Sequence, residues 1–195
     1  MKLDIILSGV GGQGILSIAA IIGEAALKEG LHIKQAEVHG MSQRGGDVQS
    51  NLRISSLEIY SDLIAKGSAD AIISLEPMEA LRYLPYLSQK GWIVTNSAPY
   101  VNIPKYPDLE IILKELSSLP NVILLDVDAL AKEAGAARAA NVVLLGAASV
   151  ILGMDHTKLE NAIEQIFLKK GEKIVNMNIK AFRIGRAAGE NQIKP

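Results

Sequence analysis

Leu3-Asp4-Ile5-Ile6-Leu7-Ser8-Gly9-Val10-Gly11-Gly12-Gln13-Gly14-Ile15 is an apolar run that breaks into glycines and then enters a helical pattern. Leu3–Leu7 reads as a buried strand. From Ile15 to Glu29 the polar residues Ser17, Glu24 and Lys28 share one face, and Glu24 and Lys28 stand at a favourable i,i+4 spacing before Gly30 stops the helix. A strand that turns on glycines into a helix presents free backbone N–H groups at the positive helix end, which suits a phosphate or carboxylate. Leu31–Val38 is the next strand, so the segment has the length of a right-handed parallel crossover.

A second glycine turn follows that strand: His39-Gly40-Met41-Ser42-Gln43-Arg44-Gly45-Gly46. Gln43 and Arg44 add side-chain donors for an anionic or carbonyl group. Beyond it Val48, Ser50, Leu52 and Ile54 alternate with Gln49, Asn51 and Arg53, the period of a half-buried strand, with Ile59–Tyr60 expected to pair with it as a hairpin. Further strands are expected at Ala71–Leu75, Ile93–Thr95 and Val122–Leu125. Helices are expected from Glu76-Pro77, over Leu109–Leu119, Asp128–Ala134, Asn141–Leu152 and Thr157–Lys169, and over about Lys173–Ala188. Thr157 and Glu160 have capping-box spacing, and Ser97–Pro107, with three prolines, is a loop. This alternation predicts one three-layer α/β domain over residues 1–195, a mostly parallel sheet with helices on both faces.

Composition narrows the chemistry. The net charge is −1, with no basic cluster, so there is no excess to bind nucleic acid or a membrane surface. The absence of cysteine excludes disulfides and any iron–sulfur cluster held by this chain's own thiolates. His32, His39 and His156 show no metal-ligand spacing, and no apolar run approaches the ~18 residues of a membrane span. A soluble, cytoplasmic protein is the expectation.

Each motif has two readings. Gly9, Gly11 and Gly14 satisfy G-x-G-x-x-G, and Glu37, 23 positions after Gly14, could accept from a ribose hydroxyl as in dinucleotide sites. The same residues fit P-loop spacing, but Ile15 and Leu16 stand where Lys and Ser/Thr must be. Gln13 either bonds the neighbouring loop backbone or donates to a ligand. Arg44 either contacts a partner or pairs with Asp47 or Glu37. His39 is a lone titratable group, and Glu76 and Glu79 fall in a first helical turn where the dipole already favours acids. Asn96 and Asn141 read as turn and cap residues. With neither G-x-S-x-G nor H-E-x-x-H, no catalytic residue is assigned to this chain.

Taken together, the two turns resemble the gamma-type subunit of 2-oxoacid:ferredoxin oxidoreductases. The resemblance runs on through Val48–Arg53, Ala69-Asp70, Glu76 with Glu79-Ala80, Asn96 and Asn141–Gly146, to Asn176 and Ala181. The form His-Gly-Met-x-Gln-Arg-Gly-Gly looks most like the indolepyruvate type, in which this module stands alone as the smaller subunit. The resemblance implies thiamine-dependent oxidative decarboxylation of a 2-oxoacid to an acyl-coenzyme A, with electrons passing through iron–sulfur clusters to ferredoxin, in aromatic amino-acid catabolism. It also implies a division of labour. Thiamine motifs need Gly-Asp-Gly and a later Asn-Asn, where this chain has Gly46-Asp47-Val48 and no Asn-Asn pair. A larger partner subunit is therefore expected to hold thiamine diphosphate and the clusters. Gly9, Gly11, Gly12, Gln13, Gly14, His39, Met41, Gln43, Arg44, Gly45 and Gly46 are the expected ligand or interface residues, with coenzyme A a candidate ligand. A partner-binding face left bare favours self-association of the isolated chain. The alternatives are a stand-alone dinucleotide-binding protein, a different 2-oxoacid oxidoreductase gamma subunit, and an assembly module without a ligand.

Overall fold

The computed structural model describes residues 1–39 and 45–193. Its elements follow in the order β1 (Lys2–Val10), α1 (Ile15–Lys28), β2 (His32–His39), β3 (Asp47–Ser55), β4 (Ala69–Ser74), α2 (Pro77–Arg82), β5 (Leu87–Asn96), α3 (Leu109–Ser118), β6 (Val122–Leu125), α4 (Val127–Glu133), α5 (Ala140–Ala148), α6 (His156–Phe167) and α7 (Glu172–Glu190). The strands form one sheet in the order β2-β3-β1-β4-β5-β6. Pairing is parallel from β1 through β4 and β5 to β6, and antiparallel where β3 meets β1 and β2.

This order corrects one expectation. β1 and β2 do run in the same direction, but β3 lies between them, so they are not neighbours. The chain reverses after β2, and β3 then pairs with β1 from Lys2↔Ser55 to Val10↔Asp47 and with β2 from His32↔Ser55 to His39↔Val48. The expected hairpin at Ile59–Tyr60 does not form. Its segment folds instead over the polar face of β3, where Arg53 donates to the carbonyls of Ser61 (3.0 Å) and Leu63 (3.2 Å) and Asn51 accepts from the Ile64 amide (3.2 Å). Arg53 is itself held by Asp4 at 2.7 Å, so a nearly buried ion pair organises this end of the sheet.

Alternation along the strands divides the core. Ile5, Leu7, Ala71, Ile73 and Val94 face the layer of α1, α5, α6 and α7, while Ile6, Ile72 and Ile93 face α2 and α3. α1 buries Ile15, Ile18, Ala19, Ile21, Ile22, Ala25 and Ala26, and closes with the Glu24–Lys28 pair at 3.4 Å and Gly30 in the left-handed region. Full burial of each isoleucine contributes about 1.5–3 kcal/mol. α6 starts not on a Thr157–Glu160 box but on Asp155, whose carboxylate accepts from the Thr157 amide (2.9 Å); Glu160 is taken instead by Arg183 of α7 at 2.8 and 2.6 Å.

α5 is apolar on nearly every side and is buried from Val142 to Ala148. It can cross α7 closely only because the contact is made of glycines. A Cβ on Gly146 would lie 2.0 Å from the Phe182 carbonyl oxygen, and one on Gly185 would lie 1.9 Å from that of Val143. Both obstacles are backbone, so neither can step aside by changing rotamer. Gly185→Ala should therefore force the helices apart, at a cost of about 2–3 kcal/mol. A melting curve of the purified chain should show Tm lower by roughly 5–10 °C.

Candidate functional site

The parallel strands all end on one side of the sheet, and both glycine turns lie there. β1 leaves through Gly9 and Val10 into Gly11–Gly14, and α1 begins at Gly14. Gly14 has φ +90°, and a Cβ there would meet the Asn141 amide nitrogen at 2.7 Å. That amide donates to the Gly14 carbonyl at 3.1 Å. Asn141 thus does not cap α5, whose N-cap is Ala139; it ties α5 to the first turn instead.

Gln13 is bonded to backbone at both ends of its amide. Its oxygen accepts from the Val10 N–H at 2.7 Å, and its nitrogen donates to the Leu75 carbonyl at 3.1 Å. The side chain closes the turn on itself and pins it to the end of β4. Gln13→Ala would leave the Val10 N–H and Leu75 carbonyl without these partners, a loss of about 1–3 kcal/mol for such groups when buried. A lower Tm of the isolated chain is the expected outcome, with no ligand present.

The second turn is brought against the first. The Gly11 N–H donates to the Gly46 carbonyl (2.8 Å) and the Gly45 N–H to the Gly11 carbonyl (3.3 Å). Gly9, Gly11, Gly12, Gln13, Gly14, Gly45 and Gly46 therefore form one continuous rim. His39 ends β2 opposite Val48. Met41, Gln43 and Arg44 lie outside the described residues.

Two hollows flank this rim. One, of about 380 Å³, is lined by Gly11, Gly12, Gly14, Leu16, Glu37 and Val48. Glu37 does face the glycine turn, but from a strand one place removed from β1, with Val48 of β3 between. At ~4.8 Å per strand its backbone stands about 10 Å from β1, twice the separation in a dinucleotide fold, where the acid follows on the adjacent strand. The other hollow, of about 480 Å³, lies on the α5–α7 side and includes Gly12, Gly14, Ser17, Arg138, Asn141 and Lys170. Neither α1 nor α5 has a side-chain N-cap, and Arg138 and Lys170 supply positive charge at this hollow. An anion is matched by that side and not by the side carrying Glu37.

Glu76 and Glu79 occupy adjoining buried positions. Glu76 is fully buried and caps α2 by accepting from the Glu79 N–H at 2.8 Å; it also accepts from the Tyr106 hydroxyl and the Tyr100 N–H (3.5 Å). Glu79 is paired with Arg82 at 2.7 and 3.1 Å. Burial pushes the Glu79 carboxyl above the usual range while Arg82 pulls it back, and burial pushes the Tyr83 phenol up to about 12. Both acids are thus engaged in holding structure. In Arg82→Ala the upward shift of Glu79 is no longer opposed. An acid whose folded value is raised stabilises the fold less as pH rises, because the folded state binds the extra proton. Tm of Arg82→Ala should therefore fall relative to the parent as pH is raised above about 4.5, the ordinary carboxylate value.

Two participants were not marked by the sequence reading. Asn102, in the proline-rich segment after β5, donates to the Gly45 carbonyl at 2.8 Å, and Tyr106 of the same segment reaches Glu76. Asn96, read as a turn residue, accepts from the Ala98 and Val127 amides at 3.2 Å each and donates to Asp128 at 2.9 Å. Among the described residues no cluster of His, Asp or Glu forms a metal site, and no helix is long and apolar enough to cross a membrane.

Residues 4–188 match the family described as pyruvate ferredoxin/flavodoxin oxidoreductase. An indolepyruvate oxidoreductase subunit IorB of Archaeoglobus fulgidus is 38% identical over 196 residues, covering 95% of this chain and 94% of the relative. The gamma subunit of a keto/oxoacid ferredoxin oxidoreductase from Geobacter sulfurreducens superposes with a TM-score of 0.69 at 26% identity, over 97% of this chain and 99% of that one. The fold also recurs in a 2-oxoglutarate:ferredoxin oxidoreductase of Magnetococcus marinus solved with 2-oxoglutarate, coenzyme A and succinyl-coenzyme A. There the TM-score is 0.76 and the identity 23%, over 100% of this chain and 32% of that one. With a full-length relative, a family match over most of its residues and the paired glycine turns at the sheet's carboxyl end, this chain belongs to the pyruvate ferredoxin/flavodoxin oxidoreductase family.

Proposed function

We propose that this chain, acting as one gamma-type domain, is the smaller subunit of an indolepyruvate-type ferredoxin oxidoreductase in the cytoplasm. The reaction takes an aryl pyruvate and coenzyme A to an acyl-coenzyme A, carbon dioxide, a proton and two electrons, the electrons passing to ferredoxin. Thiamine diphosphate and the iron–sulfur clusters do not fit this chain: it has no cysteine, and Gly46-Asp47-Val48 replaces the thiamine motif. They are assigned to the larger partner subunit. The observation that carries the reading is the pairing of the two glycine turns through Gly11, Gly45 and Gly46 into a rim ready to meet a partner or an anionic ligand.

Coenzyme A is the ligand best suited to the α5–α7 side of that rim. Its phosphates would meet the N-terminus of α1 together with Arg138 and Lys170, whereas the Glu37 side would repel them. A second reading, a purely structural module, is favoured by one observation: the Gln13 amide bonds backbone through both its oxygen and its nitrogen.

The test is co-expression with the larger subunit, then anaerobic assay of ferredoxin reduction dependent on indolepyruvate and coenzyme A. Activity needing both chains is expected. Arg138→Glu with Lys170→Glu should raise KM for coenzyme A about tenfold or more, as for lost charge-assisted bonds of ~1.5–3 kcal/mol. An unchanged KM would leave the structural-module reading. If no complex forms and the lone chain retains NAD(H), the subunit reading is wrong.

A further inference from the structure

The segment joining β5 to α3 contains Pro99, Pro104 and Pro107, and apart from its first residue it takes no part in the sheet. Its course is set by a few bonds to buried groups. The Ser97 N–H donates to the Leu125 carbonyl at 2.9 Å, continuing the β5–β6 edge, and the Ala98 N–H donates to the Asn96 side chain at 3.2 Å. Farther along, the Tyr100 N–H and the Tyr106 hydroxyl converge on a single carboxylate oxygen of Glu76. Glu76 is fully buried and meets three donors, all from neutral groups. The Tyr106 hydroxyl, with the longer Tyr100 N–H contact at 3.5 Å beside it, ties the segment to the residue that caps α2.

Asn102 stands between those two tyrosines. Its amide nitrogen donates to the Gly45 carbonyl, while its buried amide oxygen meets no hydrogen-bond partner among the described residues. A buried amide oxygen without a partner is a cost that an asparagine placed only for packing would not impose, since an apolar side chain would avoid it. What the side chain accomplishes at that cost is a fixed position for Gly45, the residue whose N–H bonds Gly11 across the two turns.

We propose that Asn102 is a positioning residue for the paired glycine turns, and that Tyr106 of the same segment, bonded to Glu76 at the start of α2, braces it. It touches no reacting atom; it acts by setting Gly45, and through Gly45 the seam with Gly11. The inference rests on the subunit reading above, since it assigns catalytic consequence to the rim.

The test uses the assembled two-subunit complex carrying Asn102→Ala, Tyr106→Phe, or both. Hydrogen exchange is followed in peptides covering residues 9–14 and 45–50, alongside kcat and KM for coenzyme A. Each single change should speed exchange of the Gly11 and Gly45 amides about fivefold, the loss of roughly one hydrogen bond, with β4 unchanged. The double variant should do little more than either single change, because both act through one brace. KM for coenzyme A should rise severalfold with kcat nearly unaltered. Tyr106→Phe removes one hydroxyl, so it keeps the question decidable if Asn102→Ala does not fold. Unchanged exchange, or additive effects, would overturn the brace. Faster exchange with unaltered kinetics would overturn a positioning role in the reaction. If the parent complex lacks activity, the subunit reading fails, while the exchange data still decide the brace.

Discussion

The antiparallel register of β1 against β3 is the constraint on which the site depends. With Val10 opposite Asp47, the chain leaving β1 and the chain entering β3 meet at the same end of the sheet. The Gly11–Gly46 and Gly45–Gly11 bonds then extend the pairing beyond the last strand residues. A slip of one residue would turn the side chains of β3 to the opposite face and carry Gly45 out of reach of Gly11. Proximity of the turns is therefore a property of strand pairing, set before any ligand arrives.

Around this seam the fold relies on neutral amides. Gln13, Asn96, Asn102 and Asn141 each donate to a main-chain carbonyl or carboxylate at the carboxyl end of the strands: Leu75, Asp128, Gly45 and Gly14 respectively. A side-chain amide carries donor and acceptor in one rigid group and no net charge. It can hold backbone segments close together while leaving the local potential to groups such as Arg138 and Lys170. The acidic and basic side chains Glu76, Glu79 and Arg82 are set apart at α2, where their hydrogen-bonding groups find partners within the structure.

Much of this was legible locally. The β1–turn–α1 passage, the alternating strand from Val48 and the helices from α3 onward are written in short-range periodicity, and their observed bounds lie close to the expected ones. The paired turns identified the family because their residues are distinctive even without coordinates. Strand order was not legible, because nothing in Leu31–Val38 records that a later strand will insert beside it. Glu160 has capping spacing, yet a long-range partner, Arg183, claims it. Asn102 carried no signal, since one asparagine among prolines has no periodicity. The glycines of α7 are visible as Gly185 and Gly189, but that they face Val143 and Ala147 is a tertiary fact. Gln13 could be read two ways because its decisive partner, Leu75, is 62 positions away.

At the far edge of the sheet, the Gln192 side chain accepts from the Leu124 N–H at 2.9 Å and donates to the Leu124 carbonyl at 2.7 Å. A primary amide has the same donor–acceptor layout as a peptide unit, so one side chain following α7 acts as a one-residue strand. It occupies the outward hydrogen-bonding groups at the middle of β6, which would otherwise be open to another chain. The sheet is thereby asymmetric in its capacity to grow. The Gln192 amide covers Leu124 on the β6 edge, while the opposite end strand of the sheet is β2, which precedes the second glycine turn.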